Sequence, residues 1–326
     1  MNKMLKLTAG MAMAAALMST AAMADDAIEL VMTSGVSTEH IITTFGNELA
    51  EKIAEYTDGT VTIKYYPGDQ MGVSGERVDM LINGDIDIDI QALSAFDSYN
   101  PQQGIMSAFF MFESWEHYRA VTDSETYAAI IAGLEEAIDV TDLGDVYYAK
   151  RNMLSTKPIE SLDDLSGMKF RVPNEEMPIA FIGALGAAPT PMTGSEVYSA
   201  LQNGTIEATE NGADQIVAQA FYEVAPNLAM TAHQYQTMHL LMSNKCKEKL
   251  TDEQFEAIQK AVDEMTEKYD ALSIEQEEKQ EAFLAENINV TTPDLEPFYA
   301  ACEAAYEEYD DVWGDGTWEA FKELAD

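Results

Sequence analysis

A helix-to-strand unit that occurs twice constrains this chain more than any other feature. VDMLINGDIDI (78–88) and VYSALQNGTIEA (197–208) share a leucine two residues before Asn-Gly, then an isoleucine and an acid in step. Each follows a similar turn, Pro67 to Met71-Gly72 in one copy and Pro191-Met192 to Gly194 in the other. The first copy sits in a readable context. IELVMTS (28–34) reads as a strand, FGNELAEKIAEY (45–56) as an amphipathic helix, and VTIKYYP (61–67) as a strand closed by proline. GERVDMLINGDIDIDI (75–90) then reads as a helix stopped at Asn83-Gly84 and an alternating strand. This is the β-α-β grammar of a mostly parallel sheet. Two related α/β lobes imply a cleft between them, where small ligands bind.

The longest helical segment is 251–287. Thr251 and Gln254 form a capping box, and Phe255, Ile258, Val262, Met265, Tyr269 and Leu272 keep helical spacing. A helix of about 50 Å at 1.5 Å per residue exceeds one lobe and could brace both. A free coiled coil is the alternative, although the apolar stripe drifts and yields to charge after Ile274.

The first 24 residues have a short basic start at Lys3 and Lys6, an apolar stretch, and small residues at Ala22 and Ala24. They read as a signal peptide that directs the chain to the periplasm. The stretch is interrupted and too short for a membrane span, and no cysteine near the cleavage point suggests a lipid anchor. The formal charge is −40, and cleavage makes it more negative still. Such a surface disfavours nucleic acid and anionic lipid. Cys246 and Cys302 leave a long-loop disulfide open.

In so acidic a chain the four arginines, Arg77, Arg119, Arg151 and Arg171, become informative. In SLDDLSGMKFRVP (161–173) alternation puts Lys169 and Arg171 on one face of a short strand. Arg171 then stands at the carboxyl end, where open α/β sheets bind ligands. YYAKRN (147–152) places Arg151 at the end of another strand. A guanidinium grips a carboxylate through two parallel hydrogen bonds, which lysine cannot do. The competing reading pairs each arginine with one of many surface acids.

The run 161–211 resembles the solute-binding subunits of tripartite ATP-independent periplasmic (TRAP) transporters. The resemblance rests on Gly167-Met168-Lys169-Phe170-Arg171-Val172-Pro173, on Gly186-Ala187-Ala188-Pro189-Thr190-Pro191-Met192, on Ser195 through Gln202, and on Glu210-Asn211. YYPGDQMG (65–72) and YEVAPNLAMTAH (222–233) extend it more weakly. The chain departs from the family pattern at Glu207-Ala208-Thr209 and in GVSGER (72–77). The resemblance implies a two-lobed periplasmic binding protein of α/β class, type II-like, with a long helix bridging both lobes. It also implies that Arg171 is the main carboxylate clamp, joined by Arg151 and Asn211. Candidates for the opposite wall are Ser34, His40, Glu76 and Gln91, each with a helix cap or surface role as the alternative.

The expected organisation is a signal peptide at 1–24, lobe I at 25–148 plus 237–276, and lobe II at 149–236 plus 277–326. The expected ligand is a small organic acid, first a sugar acid such as a uronate, then a C4-dicarboxylate, then a sialic or aromatic acid. The partners implied are the TRAP membrane subunits, and a monomer is expected. His40, His117, His233 and His239 lack metal-ligand spacing, so no metal or other cofactor is expected. The rival reading is a secreted enzyme on acidic sugars, for which no nucleophile motif or assembled carboxylate pair is found.

Overall fold

A computed structural model describes residues 27–325 of the protein. The expected signal peptide lies outside the described residues. The chain opens with β1 (Ile28–Ser34), α1 (Ile41–Tyr56), β2 (Val61–Tyr66), α2 (Ser74–Asn83) and β3 (Ile88–Gln91). Two 3-10 turns lead to α3 (Trp115–Thr122), α4 (Glu125–Ile138) and the long strand β4 (Val140–Ser155). The second half repeats the pattern with β5 (Lys169–Val172), α5 (Glu176–Ala184), β6 (Ala188–Pro191), α6 (Val197–Gln202), β7 (Ala208–Asn211) and α7 (Ala213–Ala218). It continues through β8 (Asn227–Ser243), α8 (Asn244–Lys247), α9 (Asp252–Asn287) and β9 (Asn289–Thr291). Helices α10 (Glu296–Tyr306), α11 (Asp310–Trp313) and α12 (Thr317–Lys322) finish the chain.

The strands run in the order β2-β1-β3-β8-β4-β7-β5-β6, with β9 beside β8. β1 pairs in parallel with β2 and β3, and β5 pairs in parallel with β6 and β7. The long central strands β4 and β8 are antiparallel to each other and to the flanking β7 and β3. Each lobe therefore holds the expected parallel unit, and two antiparallel strands join the lobes.

The sequence repeat is a structural repeat. Gly84 and Gly204 both adopt left-handed backbone, at φ 74° and 75°. Gly84 N donates to Leu81 O and Asp85 N to Met80 O; Gly204 N donates to Leu201 O and Thr205 N to Ala200 O. Each Asn-Gly ends its helix by the same hydrogen bonds and feeds a strand that pairs with the central strand of its own parallel unit.

Helix α1 buries Ile42, Phe45, Leu49 and Ile53, one face at helical spacing, each contributing about 1.5–3 kcal/mol relative to exposure. They meet Leu30, Met32, Ile88 and Ile90 of the sheet, with Val262 and Tyr269 of α9 on the other side. Farther along, Leu284 of α9 packs with Leu154, Leu201 and Phe221 of the second lobe. The long helix thus braces both lobes and is not a free coil. Its stripe gives way where it crosses β4: the buried Glu277 accepts from Tyr147 Oη at 2.9 Å and from Lys150 N at 2.7 Å. Leu272, expected on the stripe, is exposed.

Arg151 lies inside β4 rather than at its end. The strand runs on to Ser155 and carries register shifts at Asp142/Asp145, Tyr147/Ala149 and Arg151/Met153. Each bulge resets which face a side chain takes, so the alternation breaks into apparently separate strands. Cys246 and Cys302 are both free and buried, in different hydrophobic clusters.

Candidate functional site

A cavity of about 650 Å³ opens between the lobes, within the size range of small-molecule sites. The first lobe contributes Gly35 and Val36 after β1, Ser74 and Arg77 of α2, Gln91 at the end of β3, and then Ser94 and Asp97. The second lobe contributes Arg171 of β5, the Pro173–Glu175 connection into α5, Met192 to Ser195 after β6, and Gln215 of α7. Tyr148 and Met238 of the central strands close the back. Parallel strands whose carboxyl ends face one crevice place loop residues around a ligand.

Arg171 is 7% exposed. Its Nε and Nη2 both donate to the Met192 carbonyl, at 3.2 and 2.9 Å. That fork fixes the guanidinium plane and leaves the Nη1 edge without a hydrogen-bond partner among the described residues. Arg77 is paired with Asp69 and Asp89, Arg119 with Asp145 and Asp270, and Arg151 with Glu210. Arg171 is the one arginine with no carboxylate partner among the described residues. Burial lowers its pKa, with Glu210 pulling the other way and Arg151 adding to the fall; a guanidinium stays charged regardless. A buried cation without a counter-ion is costly, and an arriving carboxylate relieves that cost.

Arg151 is differently occupied. Its Nε and Nη2 grip the Glu210 carboxylate, the latter at 2.7 Å, and Nη1 donates to Gln236 Oε1 at 2.8 Å. β7 lies between β4 and β5, so Glu210 stands between the strands that carry the two arginines. Burial would raise the Glu210 pKa, but Arg151 and His233 hold it well below the usual carboxylate range. His233 sits 3.6 Å from the same carboxylate.

The remaining sequence candidates divide between wall and scaffold. Gln91 is on the cavity wall, its amide donating to Ser74 Oγ at 3.0 Å. Asn211, at the end of β7, turns its Oδ1 to Gly212 N at 3.0 Å and is not on the wall. Ser34 shares a 2.6 Å hydrogen bond with Tyr65 Oη. Glu76 is exposed and accepts from Val73 N at the head of α2. His40 caps α1 through Nδ1 and faces Asp214 of α7. Ser34, Glu76 and His40 thus serve local structure, off the wall.

Sequence reasoning passed over Asp97 and Glu175. Both Asp97 oxygens are buried without a hydrogen-bond partner among the described residues; burial, then the charge of Glu175, pushes its carboxyl up to about 8, against the pull of the nearby Gln103. Glu175 stands at the head of α5, where its side chain makes no capping bond. Burial raises its pKa too, against the pull of Ser94, Arg151 and Arg171. Glu175 lies in the loop just after a strand end that bears a candidate ligand residue, and that position was its one legible signal.

The arrangement can hold an anion at Arg171 and hydrogen-bonding groups beside it, between two lobes joined by a pair of strands. Comparison with known proteins agrees in kind. The profile of "Bacterial extracellular solute-binding protein, family 7" (DctP) matches residues 32–311. The sialic acid-binding periplasmic protein SiaP of Vibrio cholerae serotype O1 is 30% identical over 294 residues, covering 90% of this chain and 92% of that one. The C4-dicarboxylate-binding periplasmic protein DctP of Rhodobacter capsulatus is 28% identical over 262 residues, 80% of this chain and 77% of that one. A TRAP periplasmic solute binding protein from Sulfitobacter sp. NAS-14.1, solved with bound α-D-taluronate, is 28% identical with a TM-score of 0.81, covering 91% of this chain and 97% of that one. A profile match over most of the length, on a two-lobed fold shared with a solved relative, makes this chain a member of family 7 of the bacterial extracellular solute-binding proteins, the DctP family of TRAP transporters.

Proposed function

We propose that the protein captures a small organic acid in the periplasm, a sugar acid such as a uronate, and delivers it to the membrane subunits of a TRAP transporter. One observation carries this reading: Arg171 is a buried guanidinium without a carboxylate partner among the described residues, on the wall of an inter-lobe cavity in a chain with 58 acids and 18 bases. A ligand carboxylate docks on the free edge of Arg171. Arg151 sets the charge and position of the neighbouring strands, and Asn211 comes into reach as the lobes close. Contacts from Gln91 and its neighbours on the first lobe favour the closed form, because only differential contact shifts such an equilibrium.

The lobes divide at 148/149 on β4, 236/237 on β8 and 276/277 on α9. Support comes from the register shift at Tyr147/Ala149, opposite Thr237 and Gln236, and from Glu277 meeting β4 at the same level. A bulge in the two connecting strands is where bending is easiest. The taluronate bound by the Sulfitobacter relative favours a sugar acid, and the Vibrio relative's ligand keeps a sialic acid as the second reading.

A thermal-shift screen of the mature protein against hexuronates, aldonates, C4-dicarboxylates and N-acetylneuraminate tests the reading, since bound ligand raises the melting temperature. Stabilisation by a hexuronate or aldonate at stoichiometric occupancy is expected. Chemical turnover of any of them, or no shift with all of them, contradicts it.

A further inference from the structure

The cavity wall is electrically lopsided. Its charged side chains, among the described residues, are two arginines and four acids: Arg77 and Arg171 against Asp69, Asp97, Glu175 and Glu176. Arg77 is already committed, to Asp69, to the buried Asp89 and to the carbonyl of Gly72. Arg171 alone remains to receive a ligand charge. A second carboxylate on the same ligand finds no free cation on this wall among the described residues, and shares the wall with four acids.

One of those acids reports how poorly this region tolerates negative charge. Asp97 keeps both oxygens buried without partners among the described residues, and its ionisation is suppressed by burial and by Glu175. Glu175, on the wall, can accept hydrogen bonds from ligand hydroxyls. Like charges brought together in a desolvated site oppose binding strongly.

We propose that this wall selects acids bearing a single carboxylate, seated on Arg171 with their hydroxyls toward Glu175, and rejects dicarboxylates of the same carbon skeleton. Glu175 is the discriminating residue. The inference rests on the organic-acid reading and narrows it.

Calorimetric titration of the mature protein with two matched pairs, D-galacturonate against galactarate and D-gluconate against D-glucarate, tests it. Wild type should bind a monoacid at least about tenfold more tightly than its diacid partner. Glu175→Gln should narrow that ratio several-fold, and Asp97→Asn, at a residue whose oxygens are shielded from the cavity, should move it less. Both are near-isosteric, and a melting curve for each verifies the fold. A wild-type diacid binding as tightly as its monoacid, or a ratio unmoved in Glu175→Gln, overturns the selectivity while leaving an organic-acid binder standing. Failure of all four acids to bind sinks the organic-acid reading and this inference with it.

Discussion

His40 and Asp214 meet across the lobes: Nε2 of the histidine, at the head of α1, lies 3.3 Å from Oδ2 of the aspartate on α7. The tautomer follows from the other ring nitrogen. Nδ1 accepts from Ile42 N at 3.1 Å, so the proton of a neutral ring sits on Nε2, beside Asp214. Tyr148, a cavity residue, stacks on the same ring at 5.0 Å. One neutral histidine therefore caps a helix, packs beside the cavity and links the two lobes.

Acid should expose this arrangement. Burial lowers the His40 pKa to about 4, against the pull of Asp214. The unfolded chain then binds its proton more readily, so the contribution to stability is complete above about pH 6.5 and is lost toward pH 4. His40→Asn keeps a capping acceptor and removes the titration. Differential scanning calorimetry should show a shallower fall in melting temperature between pH 6.5 and 4 for the variant than for wild type. Parallel curves would contradict the assignment.

Arg151 and Glu210 make a second test. Glu210 is 2% exposed and holds Arg151 through two guanidinium nitrogens. Removing either partner leaves an uncompensated buried charge, at a cost of about 3–5 kcal/mol. Urea unfolding should place Arg151→Ala and Glu210→Ala in that range. The double variant should lose clearly less than the sum of the two.

The paired turns offer a third. Gly84→Ala and Gly204→Ala both force a Cβ into left-handed backbone, a penalty of about 1–2 kcal/mol. At Gly204 the new Cβ meets nothing within 4 Å, whereas at Gly84 it meets Lys245 Cδ at 2.8 Å. Denaturant melts should show both variants destabilised, with Gly84→Ala at least as costly because Lys245 must also move.

The cysteines give a fourth. Cys246 and Cys302 are 1% and 0% exposed, and burial pushes both thiols up to about 12. A thiol reacts as its thiolate. A disulfide-exchange reagent should therefore label neither in the native protein and both after unfolding, and reductant should leave the melting temperature unchanged.

Local rules carried much of the fold. Asn83-Gly84 and Asn203-Gly204 were legible because only a residue comfortable in left-handed backbone ends a helix that way. Thr251 with Gln254 announced the long helix through its capping box, which the structure retains. The length of β4 was not legible, since three register shifts disguise one strand as several. Arg171 stood out through scarcity and its strand-end position. Asp97 and Glu175 did not, because their burial is a property of tertiary packing and the sequence offers 58 acids. His40 was legible as a wall candidate or a helix cap, and its ring orientation decides for the cap.

The clamp at Arg171 is tested most directly by titrating D-galacturonate into the mature wild type, Arg171→Lys and Arg171→Ala by calorimetry. Lysine keeps the charge but neither the planar fork to Met192 nor the free bidentate edge. Saturable one-to-one binding in wild type, at least about a hundredfold weaker in both variants, is the expected result. Wild-type affinity retained in Arg171→Ala would contradict the clamp and the transport reading built on it.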